Sequence, residues 1–258
     1  MDNPLVSVIM PAFNAEDFIE TAVESVIAQT YSNWELFIID DASTDATFSK
    51  AEKLAKQDFR IKILQNQSNS GTGISRNKGI KAAKGDFIAF LDADDQWKPK
   101  KLQIQLEIMQ KQDASVCFSS YLQIDENGNS RNEIIEALTT LTYQKLLKSN
   151  YLGNLTGIYS AKNLGKIYAP EIRKRQDWAL WLEAVKKGGP ALGIQQCLAK
   201  YRVRKGSISR NKLEMLKFNF NIYYKILGFN FIKSTGYMLV FLKEHFFVKR
   251  KQVKKISN

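Results

Sequence analysis

The chain has 258 residues, 44% of them hydrophobic and 25% charged, a composition typical of a globular protein rather than a disordered one. Its positive charge is concentrated at one end: residues 200–258 contain 15 Lys and Arg but 2 Asp and Glu, whereas residues 1–199 contain 23 and 24. Two cysteines without Cys-x-x-Cys spacing and a single histidine argue against a zinc site and against a disulfide framework.

Apolar runs of strand length alternate with helical patterns through the first 110 residues. The predicted strands cover residues 5–10, 34–40, 61–65 and 86–92, and the predicted helices cover residues 16–29, 45–57, 73–84 and 99–110. Four strand–helix units in succession predict an α/β fold, with a mainly parallel sheet and helices on both faces. Beyond these units, the pattern predicts strands at 115–125, 154–160 and 194–203 and a helix at 176–188.

Carboxylates are crowded where the fourth predicted strand ends, in the sequence FLDADD. Asp92, Asp94 and Asp95 lie within four positions, and their mutual repulsion costs stability unless a counter-charge offsets it. One interpretation is a solvated acidic turn. The other is a divalent-cation site, because Mg²⁺ and Mn²⁺ bind one or two carboxylates together with substrate phosphates. Ligands of open α/β sheets bind beyond the carboxyl ends of the strands, which is where these side chains lie.

A second acidic pair, Asp40 and Asp41, ends the second predicted strand in the sequence IIDDASTD. Helix capping accounts for Asp45, which follows in the first helical turn, but not for the two carboxylates before it. The pair is therefore either turn chemistry or a base-recognition site. An ionised carboxylate only accepts hydrogen bonds, so it suits a base that presents an N–H, such as uracil at N3.

Two further stretches combine charge with helix starts. The sequence GTGISRNKG has Arg76 where a dinucleotide-binding fingerprint needs its third glycine, so it favours a simple anion site at a helix start. In RKRQDWALWLE, Asp177 lies in the first turn of a predicted helix beside Trp178 and Trp181. This aspartate either complements the helix dipole or belongs to a sugar-binding site with an aromatic wall.

The order of these motifs resembles the family 2 glycosyltransferases of the GT-A fold, from about residue 5 to residue 210. The resemblance is carried by VSVIMPAFNAEDFIETAVESVIAQTYSNWELFIIDDASTD, GISRNKGI, GDFIAFLDADDQWKPKKL and RQDWALWLEAVKKGG. It implies a Rossmann-like, mainly parallel sheet flanked by helices. Residues 1–210 would form the catalytic domain, with a nucleotide-binding half at about 1–112 and an acceptor-binding half at 113–210. Residues 211–258 would be a basic, helical C-terminal extension.

The resemblance also implies an activity. It is that of bacterial enzymes that extend a surface polysaccharide (O-antigen, capsule or lipooligosaccharide). A sugar would pass from a UDP-sugar to a hydroxyl of a saccharide acceptor in one metal-assisted displacement with inversion. The acceptor is expected on a lipid carrier. Asp177 matches the general base, and Asp94 with Asp92 matches the Mn²⁺ or Mg²⁺ site. Nucleotide-sugar contacts are implied for Pro11, Phe13, Asn14, Asp41, Arg76, Asp92 and Ala93.

Other expected contacts rest on weaker matches. Many family members carry a histidine, sometimes a metal ligand, where this chain has Arg204, so no third protein ligand is predicted there. Arg204 and Lys205 are expected to neutralise the diphosphate instead. Acceptor contacts are predicted for Asp95, Trp97, Asn154 and Trp178.

The basic C-terminal region admits two interpretations: helices packed on the body, or an interfacial helix on anionic lipid. With no apolar stretch long enough to span a bilayer, we expect a cytoplasmic protein, peripheral on the inner face of the membrane. Two rival functions are weaker. A sugar nucleotidyltransferase would show a Gly-rich basic loop after the first strand, and a nucleic-acid-binding protein would not line its crevice with carboxylates. We therefore expect no nucleic-acid partner.

Overall fold

The computed structural model describes residues 3–204 and 212–255, and within them eleven strands form one mixed sheet. The strands are β1 (Val6–Ala12), β2 (Trp34–Asp40), β3 (Ile61–Gln65), β4 (Phe87–Phe90), β5 (Gln96–Trp97), β6 (Val116–Ile124), β7 (Ser130–Ile135), β8 (Thr140–Leu141), β9 (Ile158–Ser160), β10 (Ala191–Arg202) and β11 (Val253–Lys255). Across the sheet the order is β11-β7-β6-β9-β4-β1-β2-β3, and β10 pairs with β5, β6 and β8.

Helices cover both faces of this sheet. They are α1 (Ile19–Ile27), α2 (Thr47–Gln57), α3 (Thr72–Ala82), α4 (Lys101–Lys111), α5 (Tyr143–Lys148), α6 (Ala161–Leu164), α7 (Gln176–Gly188), α8 (Lys212–Asn221) and α9 (Phe231–Lys243). Alternation along β1 divides the interior into two cores: Val8 and Met10 pack with residues of α1 and α4, while Ile9 packs with residues of α3 and α7.

The predicted α/β architecture is confirmed. Strands β1, β2, β3 and β4 pair in parallel, and a helix follows each of the first three strands directly. Both faces of the central strands are covered, which is why β1 and β2 are buried along their whole length. This arrangement brings the carboxyl ends of β1, β2 and β4 to one edge of the sheet.

The second half departs from the predicted elements. The predicted strand at 154–160 divides into a 3₁₀ turn, Asn154–Thr156, and the short strand β9, which runs antiparallel between β4 and β6. Strand β7 was not predicted, because its sequence, SRNEII, is half polar and its first residues are exposed. It is an outer strand whose pairing, rather than its own burial, defines it.

The C-terminal region packs on the body. Helices α8 and α9 continue into π-helical turns at Ile222–Ile226 and Glu244–Val248, and β11 then pairs antiparallel with β7. Tyr223 and Phe241 are buried against the Trp178 ring of α7, each with a centroid separation of 5.8 Å. The predicted boundary at residue 210 lies outside the described residues. Across the described ranges, no helix is both long and apolar enough to cross a membrane.

Phe241→Ala tests this packing. The side chain is 4% exposed, so its removal should leave a cavity beside Trp178 and reduce the free energy of unfolding by about 3 to 5 kcal/mol. Urea denaturation measures the change. Phe247→Ala is the matched control, because Phe247 is 72% exposed and its loss should cost less than about 0.5 kcal/mol. Equal effects of the two substitutions would contradict a packed C-terminal region.

Candidate active site

A polar crevice lies where β1, β2 and β4 end. The turn after β1 meets the turn after β2, where the Asn14 backbone N–H donates to Ser43 Oγ at 3.1 Å and Asn14 Oδ1 accepts from the Thr44 N–H at 2.9 Å. Asn14 holds this position with a φ of 44°, in the left-handed region that asparagine tolerates. Pro11 is buried at the end of β1, and Phe13 is exposed beside the turn. Parallel strands thus bring these residues to one edge, as predicted.

Each of the three carboxylates after β4 has a partner on a different arginine. Arg76 of α3 donates from a terminal guanidinium nitrogen to Asp92 Oδ1 at 2.6 Å, and Arg204 donates to Asp94 Oδ2 at 3.2 Å. Asp95 Oδ1 accepts from the backbone N–H of Arg202 at 2.8 Å. The counter-charges that offset the crowding therefore come from α3 and from the end of β10. Arg202 was not singled out in the sequence, because nothing there distinguishes it from the other basic residues of its segment.

These three carboxylates differ in environment. Asp92 and Asp94 keep 33% and 29% of their side chains exposed, whereas Asp95 is 2% exposed. Burial and repulsion from Asp92 raise the pKa of Asp94, although Arg204 opposes the change. Burial, followed by repulsion from Asp94 and Asp92, raises the pKa of Asp95 well above its ordinary range. Only Asp92 and Asp94 can therefore offer oxygens to the crevice.

Three predicted acceptor contacts do not fit the structure. Asp95 is buried against Arg202, and Trp97 and Trp178 are 3% and 0% exposed, with indole N–H groups that donate to Leu155 O and Leu146 O. In a sequence, an aromatic residue beside an acidic motif suggests a surface on which a sugar ring packs, but here both indole rings lie in the core. Asn154 is 7% exposed, and its side-chain nitrogen and oxygen have no hydrogen-bond partner. Ala93 is buried at the turn itself.

Asp41 organises the loop that precedes α3. Its carboxylate accepts from the backbone N–H groups of Ser70 at 3.0 Å and Gly71 at 2.7 Å, and from the Asn66 side chain at 2.7 Å. A carboxylate has about four acceptor positions, so one remains unused, on a side chain that is 3% exposed. The neighbouring Asp40 is fully buried and accepts from Gln65 Nε2 at 3.1 Å, which leaves its Oδ1 without a partner.

Asp177 lies in the first turn of α7 and faces the same group of charges. Its Oδ2 accepts from Asn150 Nδ2 at 3.0 Å. Burial tends to lower the pKa of Arg76, but Asp92, Asp177 and Asp95 together hold it above its ordinary value. Arg76 therefore lies within electrostatic reach of both the β4 carboxylates and Asp177. Two motifs separated by more than 80 residues therefore act on the charge of this one guanidinium.

Three residues around Asp177 were given no role in the site from the sequence. Asn150 ends the segment after α5, Arg175 precedes α7, and Lys249 comes from the C-terminal region, where its Nζ donates to the backbone oxygen of Asn150. Lys249 and Asn150 are 99 residues apart in the chain, so nothing in the local pattern could link them. Lys205 lies outside the described residues.

A divalent cation fits the donor set of the crevice. Arg76 and Arg204 occupy one oxygen each of Asp92 and Asp94, and among the described residues the second oxygen of each carboxylate has no side-chain donor, so it can bind an oxygen-preferring ion such as Mg²⁺ or Mn²⁺. In the described residues no group of three or more His, Cys, Asp or Glu is arranged to hold a metal. Two carboxylates completed by substrate phosphates are the usual arrangement for Mg²⁺.

Comparison with known proteins identifies the family. The model of glycosyl transferase family 2 matches residues 7–167. The chain belongs to this family. It is 40% identical over 240 residues to TuaG of Bacillus subtilis, named as a candidate teichuronic acid biosynthesis glycosyltransferase, with 93% of this chain and 95% of TuaG covered. It is 38% identical over 256 residues to WfgD of Escherichia coli, a UDP-Glc:α-D-GlcNAc-diphosphoundecaprenol β-1,3-glucosyltransferase, with 96% and 97% covered.

Solved structures share the fold of this glycosyltransferase. S. aureus TarS, residues 1–349 in complex with UDP, superposes with a TM-score of 0.70 and 22% identity, covering 95% of this chain and 73% of that one. The mannosyltransferase PcManGT from Pyrobaculum calidifontis, in complex with GDP-Man and Mn²⁺, gives a TM-score of 0.69 at 15% identity, covering 96% and 72%. The enzyme thus has the fold that its motifs predict.

Asp95→Asn tests the buried carboxylate. The amide oxygen can still accept from the Arg202 N–H, while the repulsion from Asp94 and Asp92 disappears, so the variant should melt at or above the temperature of the natural enzyme at pH 7. Because the folded-state pKa of Asp95 is raised, the natural enzyme loses stability as pH rises from about 4, and the variant's advantage should grow with pH.

Asp125→Asn is the control, because the pKa of Asp125 is shifted in the opposite direction to that of Asp95. Hydrogen bonds from the turn at Asn127–Asn129, led by Asn129, lower the pKa of Asp125, so losing this charge should reduce the melting temperature at pH 7 and matter less in acid. Melting curves from pH 4 to pH 8 compare the two. A pH-independent difference for Asp95→Asn would show that its carboxylate is not held in repulsion.

Proposed function

We propose that this enzyme transfers a sugar from a UDP-sugar to a hydroxyl of a saccharide that is linked through a diphosphate to a lipid, in the synthesis of a bacterial surface polysaccharide. One observation carries the proposal: the Arg76 guanidinium donates to Asp92 at 2.6 Å, and the charge of Asp177 acts on the same guanidinium. A proton acceptor and a candidate metal site therefore lie close enough to work on one displacement.

The donor would bind at the strand ends. The remaining acceptor position of Asp41 suits the uracil N3–H, and Pro11, Phe13 and Asn14 lie at the neighbouring strand end. The Arg204 guanidinium, already paired with Asp94, would approach the diphosphate from the other side. A bound divalent ion would be held by Asp92 and Asp94 and would stabilise the negative charge that develops on the departing UDP. TarS bound to UDP and PcManGT bound to Mn²⁺ support this choice of ligands.

Asp177 would act as the general base. Its Oδ2 is held by Asn150, so the carboxylate is oriented while its other oxygen can accept the proton of an acceptor hydroxyl. That hydroxyl then attacks the anomeric carbon from the face opposite UDP, which inverts the configuration. A single displacement requires a proton acceptor on one side of the anomeric carbon and stabilisation of the leaving group on the other. Asp177 would supply the first, and an ion held by Asp92 and Asp94 would supply the second.

The diphosphate-linked acceptor is inferred from the relatives. WfgD, and also WfaP of Escherichia coli, are named for transfer to α-D-GlcNAc-diphosphoundecaprenol. A nucleotidyltransferase or a nucleic-acid-binding protein is disfavoured by the family match, by the acidic crevice, and by a near-full-length likeness to sugar-transferring enzymes.

An acceptor of this kind lies in a membrane, and one surface of the C-terminal region suits that location. Along α9 and the following turn, Ile232, Leu239 and Phe247 are 83%, 64% and 72% exposed. Lys243, Arg250 and Lys251 are exposed beside them. Apolar side chains flanked by cations favour the surface of an anionic bilayer, at about 1 kcal/mol for each Lys or Arg near the surface. We propose that this face rests on the inner leaflet of the cytoplasmic membrane.

Transfer itself is tested with purified enzyme, a panel of UDP-sugars and a lipid-linked N-acetylglucosaminyl diphosphate. Asp177→Asn keeps the shape of the side chain and its contact with Asn150 but cannot take a proton, so turnover should fall by about 10²- to 10⁴-fold while UDP affinity stays the same. Glu183→Gln, on the exposed side of α7, is the matched control. Near-normal transfer by Asp177→Asn would exclude it as the base.

The metal requirement has its own measurement. UDP affinity, measured by calorimetry with Mn²⁺ present, should fall at least about tenfold on adding EDTA and to the same level in Asp94→Ala. Glu107→Ala removes an exposed carboxylate from α4 and should change nothing. If UDP binds equally well under all these conditions, the metal has no part in donor binding.

Membrane binding is measured by co-sedimentation with anionic vesicles. The double substitution Leu239→Ser and Phe247→Ser should abolish it, and added salt should weaken binding of the natural enzyme. Phe59→Ser is the control, because Phe59 is 91% exposed in the turn between α2 and β3. Equal losses for Phe59→Ser, or no binding by the natural enzyme, would leave this face without a membrane role.

A further inference from the structure

Arg175 holds an unneutralised charge beside the proposed base. It precedes α7 with a φ of 67°, a left-handed conformation that is strained for an arginine. Its Nε is buried and has no hydrogen-bond partner. Asp177, Tyr201 and Tyr223 are the groups that act on its charge, so the guanidinium lies between the crevice and the C-terminal region. Strain and an unmet donor at one side chain point to a ligand that the site is built to receive.

Lys249 brings a second cation to the same place. Its Nζ donates to the backbone oxygen of Asn150, the residue whose side chain donates to Asp177. Burial, followed by repulsion from Arg175, lowers the pKa of Lys249 to about 8, and Asp177 opposes the change. The two cations are therefore close enough to repel each other, and Asn150 connects one of them to the base.

The charge of this pair is not balanced within the described residues. Arg76, Lys145 and Lys174 each have a carboxylate partner within 3 Å. Arg175 and Lys249 take part in none of the ion pairs of the described chain. Asp177 is the one carboxylate that acts on both, and its hydrogen bond goes to Asn150. Two partly buried cations that share a single carboxylate leave an excess of positive charge, which an anion would offset.

We propose that Arg175 and Lys249 form a second anion site, which binds the diphosphate of the acceptor. This inference rests on the proposed function. In a diphosphate-linked sugar, one pyranose ring separates the accepting hydroxyl from the diphosphate, so a hydroxyl on Asp177 brings the phosphates to the side chains around that base. A guanidinium and an ammonium are the usual partners of phosphate oxygens, and the Nε of Arg175 is a donor without a partner. The diphosphate of UDP has the same chemistry, and the test separates the two sources.

The test compares two acceptors that differ in the diphosphate alone: undecyl N-acetylglucosaminyl diphosphate and the undecyl glycoside of the same sugar. Calorimetry measures binding of each to enzyme loaded with UDP and Mn²⁺. The natural enzyme should bind the diphosphate acceptor roughly ten- to hundredfold more tightly, as expected for hydrogen bonds to a charged group. Arg175→Gln and Lys249→Gln should each remove most of that ratio, while the affinity for UDP changes less than twofold. Transfer kinetics with both acceptors should follow the same ratio.

Two controls separate charge from packing. Arg173→Gln removes an exposed cation two residues from Arg175 and should leave the ratio intact. Lys145→Gln breaks the ion pair with Glu244 and removes a second cation that, like Lys249, lies over the Tyr151 ring, so it loosens the same C-terminal contact while Arg175 and Lys249 stay in place.

The results are decisive in either direction. Equal binding of the two acceptors by the natural enzyme, or an unchanged ratio in both Arg175→Gln and Lys249→Gln, overturns the inference. So does an equal loss of ratio in Lys145→Gln. A matching loss of UDP affinity would assign the cations to the donor instead. Tight binding of the diphosphate acceptor without transfer from any UDP-sugar would contradict the proposed function and leave the anion site standing.

Discussion

The structure depends on the neutralisation of three carboxylates that follow one buried strand. Asp92, Asp94 and Asp95 occupy a single turn, and each has a cationic or N–H partner from a segment distant in sequence. Arg76 ties the turn to α3, while Arg202 and Arg204 tie it to the end of β10. The Arg202 guanidinium also donates to the backbone oxygens of Asp94, Asp125 and Glu126. The electrostatic cost of the motif is thus met by contacts that also fix the turn after β4 to α3 and to the end of β10.

Charge is divided across the crevice. The side formed by β2 and β4 collects carboxylates, which suits a metal ion and the base of a nucleotide. The side formed by the start of α7 and the C-terminal region collects cations around a single carboxylate. Arg76 lies between them and is influenced by both. An uneven field of this kind can hold two anionic substrates apart while their reacting groups meet between them.

The sequence predicts the first 110 residues better than the rest of the chain, for physical reasons. Strands β1, β2 and β4 are apolar because both their faces are covered, so periodicity and burial agree. Strands β7 and β11 lie at the outer edge, are short and polar, and form because of their partners. Asp177 was singled out because its motif is local. Trp97 and Trp178 were assigned to the acceptor although they are buried, since an aromatic residue in a sequence does not reveal which side of a helix or strand it occupies. Lys249 reaches Asn150 from 99 residues away, a contact that no local pattern encodes.

The pairing of β11 with β7 has a consequence for synthesis on the ribosome. Val253 pairs with Ile135, so more than a hundred residues must be made between the two partners. Contacts of such long range form only after the whole intervening chain is available. Strands β1 to β4 are complete long before that point, so a nascent chain can form their parallel pairs first. The surroundings of Asp177 are completed only when Lys249 and β11 have emerged, so the two sides of the crevice take shape at different times.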